Sequence, residues 1–214
     1  MIRILITDDH PIVRRGIRQL LEDDKEERFG NIAEAGNGKE LLEKLNSAEF
    51  DVILLDISLP GRSGLELLGD IKKLKPAVKV VILSIYPEEQ YALRALKMGA
   101  AGYLTKASAP DELISAVIKA SQGNRYISAS LAEKITSNLI EDTDSPLHEK
   151  LSVRELEVIS LLASGKTMSN IAIELSLSPK TISTYRERIL SKLNLKTTSD
   201  IIRYAIKEGL TEET

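Results

Sequence analysis

Three aspartates, one serine and one lysine stand where short apolar segments of the chain end. They are Asp8, Asp9, Asp56, Ser84 and Lys106. A single aspartate after a strand is more often a helix cap than a reactive group. Five polar side chains that all follow apolar segments indicate instead that they share one site.

These residue types together suit phosphoryl chemistry. Clustered carboxylates repel one another, and Mg²⁺ relieves that repulsion because it prefers oxygen ligands and often binds beside phosphate. Asp56 can attack a phosphoryl group as a carboxylate nucleophile, and the Lys106 ammonium can neutralise the oxygens of the transferring group. Ser84 can donate a hydrogen bond to the attached phosphoryl group, which would draw its loop inward.

Alternating strands and helices would assemble such a site. The predicted strands are 2–7, 31–35, 51–56, 78–84 and 101–104. Apolar residues at helical spacing lie between them. The pattern predicts an α/β fold with a five-stranded, doubly wound parallel sheet. The functional crevice of such sheets lies beyond the carboxyl ends of the strands, where these five side chains stand.

Four blocks within residues 1–122 carry a more specific signal: Ile4–His10, Asp51–Asp56, Pro60–Glu66 and Gly99–Lys106. In this order they resemble the receiver domain of two-component response regulators, which implies that the doubly wound sheet is flavodoxin-like. The resemblance implies that Asp56 is the phosphoacceptor and that Ser84 and Lys106 sense the phosphoryl group. It implies Mg²⁺ ligands at Asp8, Asp9, Asp56 and the backbone carbonyl of Ser58. Tyr103 occupies the position of the family's rotating aromatic residue, so it is expected to act with Ser84 as a switch.

One position departs from the receiver pattern. Many receivers have proline after the lysine, often with a cis bond, whereas this chain has Ala107. A cis peptide bond without proline costs about 2.5–4 kcal/mol. Two alternatives are therefore open: a strained cis bond, or a trans bond that presents Lys106 differently.

The chain changes character after Gly123. Residues 123–146 are predicted to form a linker with a helix at 129–140 and an acidic, turn-rich end. Residues 147–214 are predicted to form a small all-α domain of four helices. Ser152 and Glu155 make a capping box at the first helix, and Ser178 with Pro179 begins the third. The short second helix, tight turn and longer third helix indicate a helix-turn-helix, although four such helices can also be simply a small bundle.

The third helix lies in a basic segment. Residues 178–207 contain seven basic and two acidic residues, a net charge of +5, in a chain whose total charge is −3. Such a local field attracts DNA phosphates whatever the overall charge, although a cluster of this size can equally be a solvated helix face. The Lys, Ser and Thr residues near the helix start are typical of residues that enter the major groove.

The blocks Leu151–Val158, Ile171–Ile182 and Lys192–Leu195 resemble a LuxR-type DNA-binding domain over about residues 147–212. The two halves together resemble the NarL/FixJ class of response regulators. Residues 178–186 look most similar to its GacA/UvrY-type members, although many class members have histidine in place of Tyr185. By position in the motif, the expected base contacts are Ser183, Thr184 and Glu187. The expected phosphate contacts are Lys180, Thr181, Arg186, Arg188 and Lys192. Glu187 can accept from a cytosine amino group or pair with a neighbouring arginine.

These patterns predict a transcription factor. A sensor histidine kinase would phosphorylate Asp56, and phosphorylation would favour a homodimer on double-stranded DNA. A phosphatase with an aspartyl-phosphate intermediate shares the sheet, metal and nucleophile, but normally has a second aspartate where this chain has Ser58. We therefore expect no enzyme activity beyond slow self-dephosphorylation. A receiver whose tail does not bind DNA is a further alternative.

Other classes are disfavoured by composition. The chain has no cysteine, which excludes disulfides and thiolate metal sites. It lacks a Gly-x-Gly-x-x-Gly after the first strand, which argues against a dinucleotide-binding enzyme. No signal sequence or apolar run of membrane-spanning length is evident, so the expectation is a cytoplasmic protein without a membrane partner.

Overall fold

The chain divides into two units in the computed structural model, Met1–Ile140 and Glu141–Thr214. The structure describes residues 1–133 and 147–210, apart from the side chains of Glu89, Gln90 and Glu149. Of the expected linker helix, residues 129–133 are helical, and the remainder lies outside the described residues together with the acidic segment 141–146. The domain limits expected at residues 122 and 147 stay predictions.

A parallel sheet of five strands forms the centre of the first unit, in the order β2-β1-β3-β4-β5. The strands are β1 Ile2–Thr7, β2 Phe29–Ala35, β3 Val52–Asp56, β4 Lys79–Ser84 and β5 Gly102–Thr105. The predicted α/β doubly wound class is confirmed. Strand β2 begins two residues earlier than expected, because Phe29 pairs with Ile2 at the start of β1.

Helices cover both faces of this sheet. They are α1 Pro11–Glu22, α2 Gly38–Ser47, α3 Gly64–Leu74, α4 Glu88–Lys97 and α5 Ala109–Ser121. Alternate strand residues such as Ile4 and Val52 share a buried cluster with Ile17 of α1 and with Leu113 and Val117 of α5. Their sequence neighbours point to the opposite face, because successive side chains of a strand alternate. Burial on both faces explains why β3 and β4 are continuously apolar.

Gly64 allows α3 to begin directly against the end of β3. A Cβ atom at this position would lie 2.0 Å from the backbone oxygen of Asp56, which no side chain could tolerate. Ser63 caps the helix in a capping box with Glu66. The loop between Asp56 and α3 is therefore short, and it brings the first residue of α3 back against the last residue of β3.

Four α-helices follow a short 3₁₀ helix, Leu147–Lys150, in the described part of the second unit. They are α6 Val153–Ala163, α7 Met168–Glu174, α8 Pro179–Leu193 and α9 Thr198–Lys207. The capping box of Ser152 and Glu155 is present at α6, and Ser178 caps α8 with Pro179 in its first turn. Helix α6 packs against α8 and α9, and α7 packs against α8.

No helix among residues 1–133 and 147–210 is both long enough and apolar enough to span a membrane.

Candidate functional site

Carboxylates from two strands meet one lysine at the carboxyl end of the sheet. Asp8 follows β1, Asp56 ends β3 and Lys106 follows β5. Lys106 Nζ lies 2.7 Å from Asp8 Oδ2 and 2.8 Å from Asp56 Oδ2. The structure thus brings together residues that are up to 98 positions apart in the chain, and one ammonium group balances part of their negative charge.

Burial dominates the electrostatics of this cluster. The Asp8 and Asp56 side chains are fully shielded from solvent. Burial raises the pKa of Asp56 to about 6, assisted by the charge of Asp8 and opposed by Lys106 and by the Ser58 N–H. For Lys106, burial lowers the pKa, but its contacts with Asp56 and Asp8 outweigh that effect, so the pKa lies above its ordinary value. Lys106 therefore remains an ammonium group, and Asp56 holds a proton more readily than an ordinary aspartate.

The acidic cluster has a donor set that fits a hard cation. Ligand atoms of Asp8, Asp9, His10 and Asp56 all lie within 4.8 Å of one another. One buried oxygen of Asp8 lies 2.7 Å from Lys106 Nζ, and one of Asp9 lies 2.8 Å from His10 Nδ1, but neither receives a well-aligned hydrogen bond within the described chain. Such oxygens are available to a cation with oxygen ligands.

Ser84 and Tyr103 are linked through the backbone of one residue. Ser84 is fully buried, and its Oγ accepts a hydrogen bond from the backbone N–H of Tyr86 at 3.0 Å. The buried Tyr103 hydroxyl donates to the backbone oxygen of Tyr86 at 2.9 Å. The two expected switch residues therefore both hold the loop after β4.

The peptide bond between Lys106 and Ala107 is trans. Of the two alternatives that the sequence leaves open, the structure has the unstrained one. Lys106 reaches both carboxylates in this geometry, and its backbone N–H donates to the backbone oxygen of Ser84 at 2.6 Å.

Helix α8 has a buried face and a polar face. Ile182, Ile189 and Leu193 are buried. At 3.6 residues per turn the opposite side presents Lys180, Thr184, Glu187 and Arg188, all of which are exposed. Thr181, Ser183 and Lys192 lie at the edges of this face; Thr181 and Ser183 are partly exposed, and Lys192 is exposed.

Two of the residues expected to contact phosphate also make contacts within the second unit. Arg186 Nε donates to Thr198 Oγ1 at 2.7 Å, at the start of α9. Lys192 Nζ lies 2.6 Å from Oε2 of the buried Glu155. Burial alone would raise the pKa of Glu155, but Lys192 and the Ser152 N–H outweigh it, so the pKa is lowered. Arg186 and Lys192 thus stabilise the helical unit, whatever else they bind.

Both halves of the chain match known protein families. Residues 4–118 match the response regulator receiver domain, and residues 149–205 match the luxR family of bacterial regulatory proteins. The chain belongs to the two-component response regulators.

Similar proteins share the whole domain arrangement of this response regulator. It is 37% identical to the response regulator UvrY of Escherichia coli K12 over 212 residues, which cover 98% of the chain and 96% of UvrY. It is 33% identical to the response regulator GacA of Pseudomonas aeruginosa over 214 residues, 99% of each protein. A structure of RcsB from Salmonella enterica serovar Typhimurium is 28% identical, with a TM-score of 0.65 over 95% of this chain and 97% of that one. The resemblance to the NarL/FixJ class, and to its GacA/UvrY-type members, is confirmed.

The contributions of His10 and Tyr86 to the response regulator's site were not anticipated from sequence. His10 belongs to the candidate cation cluster, and only its position directly after Asp9 hinted at this. Tyr86 contributes through its backbone, which leaves no signal in a sequence. The roles assigned to Asp8, Asp9, Asp56, Ser58, Ser84, Tyr103 and Lys106 stay predictions, as do the expected DNA contacts of α8.

Proposed function

We propose that Asp56 accepts a phosphoryl group from a sensor histidine kinase and that this modification raises the affinity of α8 for double-stranded DNA. The observation that carries the proposal is the fully buried Asp56 carboxylate, which lies against Lys106 beside Asp8 at the carboxyl edge of the sheet. A carboxylate in this setting is shielded from water and is oriented by fixed partners.

The transfer would proceed by attack of an Asp56 carboxylate oxygen on phosphorus. A P–O bond to Asp56 forms as the N–P bond of the kinase's phosphohistidine breaks, and the imidazole leaves with the electron pair of that bond. Lys106 would neutralise charge that develops on the phosphoryl oxygens. For this, its ion pair with Asp56 must lengthen to admit the group.

Receiver domains typically bind Mg²⁺ at an acidic pocket. In this chain Asp8, Asp9, Asp56 and the backbone carbonyl of Ser58 would hold the ion. When bound, Mg²⁺ supplies positive charge that offsets the carboxylates and favours a phosphoryl group nearby. Asp8 and Asp9 would supply its ligands on the β1 side, and Asp56 and Ser58 those on the β3 side.

Ser84 and Tyr103 would convert the modification into a structural change. A phosphoryl oxygen offers the Ser84 hydroxyl a strong acceptor. If Ser84 turns towards it, the hydrogen bond from Tyr86 N–H is lost. The Tyr103 hydroxyl, which donates to the backbone oxygen of Tyr86, would then move together with the loop.

The DNA contacts would divide into two kinds. Ser183, Thr184 and Glu187 would contact base edges, while Lys180, Thr181, Arg186, Arg188 and Lys192 would contact phosphates. RcsB of Salmonella has been solved on the rprA promoter with the phosphomimetic BeF₃⁻. Another RcsB structure holds two dimers on two parallel DNAs. We expect this protein to bind DNA as a homodimer in the same way.

The phosphorylated protein would lose its phosphate only slowly. The family is regulatory rather than enzymatic, and Ser58 stands where a phosphatase with an aspartyl-phosphate intermediate would have its second carboxyl group. A serine hydroxyl is a poor general base for hydrolytic water.

The replacement Asp56→Asn tests the proposal. Wild type incubated with acetyl phosphate and Mg²⁺ is expected to gain acid-labile phosphate, seen by intact-mass measurement, and to bind selected genomic fragments more tightly. Asp56→Asn should do neither. Asp51→Asn is the matched control, because Asp51 lies beside the other end of β3 and pairs with Arg3. Equal phosphate incorporation, or an equal gain in DNA affinity, in wild type and Asp56→Asn contradicts the proposal.

A further inference from the structure

Arg14 contacts the backbone of the candidate cation site from the side of α1. Its Nη1 donates a hydrogen bond to the backbone oxygen of Asp8 at 2.7 Å. We propose that Arg14 is a positioning residue that fixes the Asp8–Asp9 peptide and thereby sets the affinity of the site for a divalent cation. The inference rests on the proposed function, because the cation site is part of it.

Arg14 is itself held by a carboxylate from the neighbouring strand. Its Nε donates to Glu34 Oε2 at 3.1 Å, and Arg18 Nε donates to the other Glu34 oxygen at 2.6 Å. The Arg14 side chain is only 17% exposed. Because a guanidinium group is planar with donors in fixed directions, the position of Glu34 determines where Nη1 meets Asp8.

The peptide that Arg14 contacts joins two expected ligands. On its amino side, the Asp8 N–H donates to the Ala35 oxygen at 3.2 Å. On its carboxyl side, Asp8 Oδ1 accepts from the His10 N–H at 2.8 Å. A net change in the backbone torsions that flank the Asp8–Asp9 peptide would displace the two carboxylates relative to each other, so a donor that fixes the peptide carbonyl preorganises the pair. Groups that orient metal ligands in this manner commonly influence metal affinity strongly.

Arg18 provides a matched comparison within the same network. Like Arg14, it makes an ion pair with Glu34 and one hydrogen bond to a backbone oxygen, that of Ile32 at 2.8 Å. It also pairs with Glu22 at 3.2 Å, an exposed contact that adds little to stability. Ile32 lies within β2, where it pairs with Ile4. Loss of Arg18 therefore removes the same kinds of contact as loss of Arg14, but none that touches Asp8 or Asp9.

The test is the Mg²⁺ affinity of the full chain without any phosphodonor. Calorimetric titration with MgCl₂ at constant ionic strength would compare wild type, Arg14→Met and Arg18→Met. We expect Arg14→Met to raise the Kd for Mg²⁺ about ten-fold, and Arg18→Met to change it by less than about two-fold. Thermal unfolding without Mg²⁺ should show similar stability losses in the two variants.

An unchanged Kd in Arg14→Met, or an equal rise in both variants, overturns the positioning role. If Arg14→Met does not fold, Arg14→Gln replaces it with the same expectation. Wild type that binds no Mg²⁺ overturns this inference together with the metal site of the proposed function. Wild type that binds Mg²⁺ but gains no phosphate on Asp56 contradicts the proposed function while leaving the role of Arg14 to be decided by the titration.

Discussion

Lys106 and Arg188 carry the same charge in very different surroundings. The Lys106 side chain is 16% exposed and lies between two buried carboxylates, whereas Arg188 is exposed on the polar face of α8. A buried charge is stable only with close, well-placed partners, and an exposed one is hydrated and needs none. Phosphorylation at the receiver site should therefore depend on the positions of a few buried groups. DNA binding by the helix surface should depend mainly on the sum of its charges.

This difference predicts how each region responds to substitution. Loss of one buried partner should change the phosphorylation rate strongly, since no solvent molecule replaces it. Loss of one exposed charge should change the DNA affinity moderately, and the change should depend on the salt concentration because mobile ions screen the charge.

The largest effect is expected from Lys106→Ala. Two buried carboxylates would lose their shared ammonium, and the transferring phosphoryl group would lose a positive charge. We expect phosphorylation by acetyl phosphate to slow about 100-fold, as measured by the rate of mass increase. Lys97→Ala, at an exposed position of α4, should leave the rate unchanged. A Lys106→Ala rate close to that of wild type would show that the buried ion pairs are structural only.

A smaller effect is expected from the double charge reversal Lys180→Glu with Arg188→Glu. Two phosphate contacts would be lost, so DNA affinity should fall about ten-fold or more and the slope of log Kobs against log salt should flatten by about two. The control with the same change in net charge is Lys39→Glu with Lys97→Glu, at exposed positions of the first unit. If affinity and slope are both unchanged in the α8 variant, this helix does not bind DNA.

The smallest change in stability and DNA affinity is expected at Arg186. This residue makes a hydrogen bond within the second unit and is also expected to contact a DNA phosphate. Arg186→Met and Thr198→Val each remove the hydrogen bond between α8 and α9, so each should lower the free energy of unfolding by about 1 kcal/mol in urea denaturation. Only Arg186→Met should also weaken DNA binding, because Thr198→Val leaves the guanidinium available to phosphate. Equal DNA affinity in the two variants would assign Arg186 a structural role alone.

Much of the fold could be predicted from local patterns. The strands and helices follow from apolar spacing, and the starts of α6 and α8 follow from Ser152 with Glu155 and from Ser178 with Pro179. The convergence of Asp8, Asp56 and Lys106 follows from the rule that parallel strands end at one edge of a sheet. The element limits depend on each residue and its near neighbours, and the convergence depends on the order of elements that those limits define, so the sequence by itself determined them.

Only the tertiary structure decided which side chains pair with one another. Lys106 bridges Asp8 and Asp56, Arg14 reaches the Asp8 carbonyl, and Arg186 bonds Thr198. Each contact joins elements whose distance and orientation depend on how the whole core packs. Backbone partners such as the Asp8 carbonyl exist at every residue, so no residue type identifies them. A difference of a few ångströms separates a contact from none, and that distance is determined by packing rather than by any local pattern.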